Sequence, residues 1–64
     1  MTDYWVKAVM EDEPPIYIKS HGTMFLFAIE RARHKLLEKG INLDKASKLT
    51  TVWKLPNSRR IRIL

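Results

Sequence analysis

A run of apolar residues at helical spacing limits what this chain can become. Phe25, Ile29, Ala32 and Leu36 fall at i, i+4, i+7 and i+11, the repeat of a helix with one buried stripe. Ala28 widens the stripe, with Leu26 and Leu37 at its edges, while Glu30, Arg31, His34, Lys35 and Glu38 hold the other side. Ser20 or Thr23 suits the N-cap, and Gly40 suits a left-handed cap at the far end. Arg33, Lys35 and Lys39 suit the negative end of the helix dipole. The pattern predicts one substantial helix over 23–39. With 64 residues and no cysteine, the rest of the chain must bury that stripe without a disulfide or a thiolate-held metal.

The flanking segments read as strands. Residues 4–10 are rich in aromatic and β-branched types, and the turn chemistry of Glu11, Asp12, Glu13, Pro14 and Pro15 ends them. Residues 16–19 alternate strictly, so a hairpin is expected, with Ile16 and Ile18 facing the helix and Tyr17 and Lys19 outside. After Gly40 the stretch 41–48 fits a loop with one short turn, which Asp44 is placed to cap. A third strand is expected over 49–55 and a turn at Pro56, Asn57 and Ser58. A closing strand is expected over 59–64, with Ile61 and Ile63 inward and Arg60 and Arg62 outward. The sum is an α+β fold, β-β-α-β-β: one domain over 1–64, with a single helix packed on one face of a small antiparallel sheet. The last strand runs to the final residue, which fits a closely packed C-terminus or a segment cut from a longer protein. An exposed strand edge could pair with a second copy as an edge-strand dimer.

Hydrophobic residues make up 45% of the chain, enough for a folded core. No apolar run approaches the roughly 18 residues of a membrane span, and the first residues lack the basic and apolar regions of a signal peptide. A cytoplasmic protein without a membrane partner is expected. Charge says more. Twelve Lys and Arg against seven Asp and Glu give +5, and three of the acids are gathered at Glu11, Asp12 and Glu13. The remaining surface therefore favours polyanions, nucleic acid first.

If one helix covers one side of the sheet, the other side carries Trp5, Lys7, Val9, Tyr17, Lys19, Arg60 and Arg62, joined by Lys54 or Trp53. Rings interleaved with cations suit stacking on bases and contact with phosphates, which nominates Lys7, Tyr17, Lys19, Lys54, Arg60 and Arg62 as a nucleic-acid-binding set. The same residue types also serve ordinary packing and solvation. Phe27, near Arg31 on the polar helix face, is either a partner contact or a single exposed ring.

Enzyme chemistry finds no support. His21 and His34 lack metal-ligand spacing, and His34 simply pairs with Glu30 and Glu38 along the helix. The acidic run lacks the alternation of an oxygen-ligand loop, no nucleophilic triad can be assembled, and two glycines make no phosphate loop. No catalytic residue, metal site or cofactor is expected.

Tyr4-Trp5-Val6, the acidic turn, Pro15-Ile16-Tyr17, one helix, a glycine and a closing strand together resemble small phage-encoded host-takeover proteins, of the type of the short phage inhibitor of bacterial RNA polymerase. The likeness runs from Tyr4 to about Pro56. This chain departs from the pattern in its longer, more basic helix and its additional Arg-rich strand. The resemblance implies a non-enzymatic protein that occludes a host enzyme with a rigid surface. By extension it offers Glu11, Asp12 and Glu13, or Arg59, Arg60 and Arg62, as contacts, with Phe27 and Arg31 on the helix as further candidates.

Overall fold

A computed structural model describes all 64 residues. The chain runs β1 (Thr2–Met10), β2 (Ile16–Gly22), α1 (Phe25–Glu38), a 3₁₀ turn (Leu43–Lys45), β3 (Ala46–Val52) and β4 (Arg62–Ile63). The four strands form one sheet in the order β3-β1-β2-β4. β1 pairs antiparallel with both β2 and β3, whereas β4 joins the far edge of β2 in parallel, so the sheet is mixed.

The helix seats on small residues. Ser20 of β2 is buried and its Oγ donates to the Ala28 carbonyl at 2.8 Å. Two positions on, Gly22 lies so close to the helix start that an added Cβ would come within 2.9 Å of the Ala28 nitrogen and 3.0 Å of the Met24 carbonyl oxygen. Ala28 and Ala32 complete the close approach from the helix side. Beneath them Val6, Ala8, Met10, Ile16 and Ile18 join Ala32 and Leu36 in the core, bordered by Ile41, Leu43, Ala46 and Leu49.

Several local expectations need correction. Neither Ser20 nor Thr23 caps the helix. The N-cap is Met24 without a side-chain bond, because Ser20 is committed to Ala28 across the interface. Phe25 has the azimuth of the buried stripe but stays 49% exposed, because the first turn of α1 sits at the end of β2, against Gly22. Leu26 and Leu37 face solvent rather than edging the core. Gly40 does adopt the left-handed conformation at φ 82°, with Ile41 N–H reaching back to the Leu36 carbonyl. Asn42, not Asp44, caps the short turn, its Oδ1 accepting from the Asp44 N–H. β3 starts at Ala46, three residues before the expected strand, and carries a register shift opposite Val9 and Met10, where Ser47 Oγ bonds the Val9 carbonyl.

The closing strand differs most. Only Arg62 and Ile63 pair with β2, anchored by Arg62 N–H to the Pro15 carbonyl and Leu64 N–H to the Tyr17 carbonyl. Past this short strand, Lys35 Nζ donates to the Lys19 carbonyl on the same edge. Residues 53–61 must travel from β3 at one edge to β4 at the other. The crossover from β2 through α1 to β3 moves one way on the helix side. The return to β4 moves the opposite way, so for this parallel crossover to be right-handed as well, the strap over 53–61 must run across the other face. Tyr17 belongs to that other face and is 3% exposed, with Ile63 paired beside it.

The seat can be tested. Gly22→Ala should cost about 1–3 kcal/mol of stability, because the added Cβ would meet two backbone atoms and the Phe27 Cβ, none of which can rotate away. Ser20→Ala should cost about 1 kcal/mol. Both should lower the urea midpoint while leaving the slope of the transition unchanged.

Candidate nucleic-acid interface

The face away from the helix is built by strand alternation. Register places Asp3, Trp5, Lys7 and Val9 of β1 there, beside Tyr17, Lys19 and His21 of β2 and beside Lys48, Thr50 and Val52 of β3. Trp5 and Lys19 are direct cross-strand partners, and Lys19 Nζ stands 5.6 Å from the Trp5 ring centre. A cation held over a half-buried ring places a phosphate-binding group beside a stacking surface.

The residues nominated from sequence divide into three groups. Lys7 and Lys19 share this face as expected, neighbouring Trp5. Lys54 and Arg60 are exposed in the strap that crosses it. Tyr17 and Arg62 are corrected. Tyr17 lies on the right face but is buried, so its ring packs rather than stacks on a ligand. Arg62 aligns with Ile16, on the helix side, and Ile63 takes the place beside Tyr17. The reversal follows from the register of β4, which brings Arg62 level with an inward residue.

Arg62 instead borders a cavity of about 250 Å³ with Met10, Glu13, Ile16, Ile41 and Lys45 among its lining. The cavity falls below the usual size of a small-molecule site. Of the alternative contact set, Glu11, Asp12 and Glu13 are exposed in the hairpin turn, with Asp12 at φ 56°. Phe27 and Arg31 are exposed on the helix, and Arg59 is exposed in the strap. The first set and the helix pair sit at different ends of the molecule.

Lys48 was missed, because the expected third strand began one residue after it. Counting alternation back from Val52 opposite Trp5 would have placed it on the cationic face. Trp53 turns the other way, toward Tyr4, with ring centres 5.8 Å apart, and is 80% exposed. No cluster of three or more potential metal ligands is present.

Electrostatically the face is uncommitted. The sole ion pair in the molecule joins Arg33 Nε to Glu30 Oε1 at 3.5 Å on the helix. Residues 45–64 contain Lys45, Lys48, Lys54, Arg59, Arg60 and Arg62 and no acid, and every one of these cations is exposed. No helix is long and apolar enough to cross a membrane. Comparison with protein families, with curated proteins and with solved structures finds no match to this chain.

Packing and contact roles separate experimentally. Tyr17→Ala should destabilise the fold by about 3 kcal/mol, the cost of truncating a buried ring. Lys19→Ala should change stability by less than about 0.5 kcal/mol, as expected for an exposed cation. Chemical denaturation of both variants checks the contrast.

Proposed function

We propose that this chain is a small, non-enzymatic binding module that contacts nucleic acid through the sheet face and the strap that crosses it. The contacts are Lys7, Lys19, Lys48, Lys54 and Arg60, with Trp5 as the ring available to a base. The observation that carries the reading is the block of exposed, unpaired cations over 45–64, free of any acid. Cations without carboxylate partners release bound counterions when they meet phosphates, which drives association without base-specific contacts. Arg62, which aligns with Ile16 on the helix side, contributes less. A cysteine-free chain suits the reducing cytoplasm, where nucleic acid is at hand.

A second reading has its own support. Phe27 is 54% exposed beside Arg31, a contact of the kind that protein interfaces use, and this fits occlusion of a host enzyme such as RNA polymerase. Capture of one host protein by a tagged copy after nuclease treatment would favour it over the first.

Binding to single-stranded polynucleotide should weaken with salt by roughly 0.7 log units per log of salt for each cation engaged. Replacing Lys54 and Arg60 together by Ala should lower that slope by about 1.4, from the same per-contact value. Arg62→Ala should lower it less than either of the two. Absence of retention on polynucleotide at low salt would overturn the proposal.

A further inference from the structure

The outward side of α1 carries a pattern that the nucleic-acid reading does not use. Leu26, Glu30, Arg33 and Leu37 lie at i, i+4, i+7 and i+11, a continuous stripe directed away from Ala28, Ala32 and Leu36. The two leucines are 56% and 53% exposed, and with Phe25 and Phe27 they put apolar surface in water on a helix otherwise lined outward by charges. Between them stand Glu30 and Arg33, the residues of the molecule's one ion pair.

The stripe is symmetric in its chemistry. A two-fold axis passing beside the midpoint of α1, between Arg31 and Ala32, exchanges the positions of Leu26 and Leu37 and those of Glu30 and Arg33. Two copies laid antiparallel along this stripe therefore set Leu26 against Leu37 at both ends and Glu30 against Arg33 twice in the middle. Each contact is thus complementary to itself, as an isologous interface requires. Antiparallel packing also sets the positive end of each helix dipole beside the negative end of the other. Phe27 flanks the stripe and comes near His34 of the second copy.

We infer that the chain self-associates as an antiparallel, helix-to-helix dimer through Leu26, Glu30, Arg33 and Leu37. The occupant of the stripe is a second copy because charge order and apolar ends both match under that one operation. The area is modest. Leu26, Leu37 and part of Phe27 offer on the order of 400 Å² per copy, at the low end of specific interfaces. The dimer is therefore weak and reversible, with a dissociation constant of roughly 10–500 µM. The sheet faces point away from each other in this pair, so dimerisation leaves the proposed polyanion surfaces free and does not depend on them.

Sedimentation equilibrium of the full chain from about 10 µM to 1 mM should show mass rising from 7.6 kDa toward twice that value. Glu30→Arg and Arg33→Glu should each weaken self-association at least about tenfold by setting like charges opposite. An equimolar mixture of the two should recover it as a heterodimer. Direction is read by cross-linking, since the chain has no cysteine of its own. Mild oxidation should join Leu26→Cys to Leu37→Cys in a mixture, and neither variant to itself. A monomer at about 1 mM overturns the inference. So does a dimer indifferent to the charge reversals, or one in which Leu26→Cys links to itself instead.

Discussion

The fold depends on how closely one helix can approach one strand. Ser20 and Gly22 on β2 and Ala28 and Ala32 on α1 remove the side-chain bulk that normally separates the two layers. Ser20 then uses the short distance to donate to a helix carbonyl, which fixes the axial position of the helix as well as its height. Everything larger in the core is arranged around that seat. Val6, Ile16 and Ile18 fill the space below it, and Leu36 with Ile41 and Leu43 closes the far end. A chain with so few buried residues has little apolar surface to spare, so the accuracy of this contact matters more than it would in a larger domain.

The same seat explains the exposed residues. α1 starts against Gly22, the last residue of β2, so its first turn sits at the end of the sheet, and Met24, Phe25 and Phe27 remain half in water. On the opposite surface the absence of a second helix would leave the sheet bare. The return strap of a right-handed crossover runs over part of it, and on this face Tyr17 is buried while Lys19 stays exposed. One side of the molecule thus presents apolar and mixed-charge groups, and the other presents cations. The two proposed binding events occupy these different sides.

Much of this organisation is legible in the residues themselves, and the failures have definite causes. The helix, the hairpin and the inward placement of Val6, Ala8, Ile16 and Ile18 follow from period alone, because local repeats report which residues share a side. Period cannot report what lies over that side. Alternation puts Tyr17 on the correct face, but does not report its burial there, beside Ile63, which is distant in sequence. Arg62 and Ile63 alternate as expected, but their faces were exchanged, since alternation leaves the phase of an edge strand free until its partner fixes the register. Ser20 looked like a helix cap because a serine shortly before a helix usually is one. Here the strand continues to Gly22, which carries Ser20 under the helix instead of to its end.

The irregularity where β3 meets the end of β1 has a consequence for how this protein tolerates crowding. An unbroken, flat outer strand invites further chains to add on indefinitely, as in cross-β fibrils. The extra residue at Ser47 bends β3 out of that template, and Lys48 beside it places a charge where stacked strands would repeat it every few ångströms. Growth by ladder extension is blocked early. In the proposed binding to nucleic acid, this keeps many copies held side by side from converting into an insoluble aggregate.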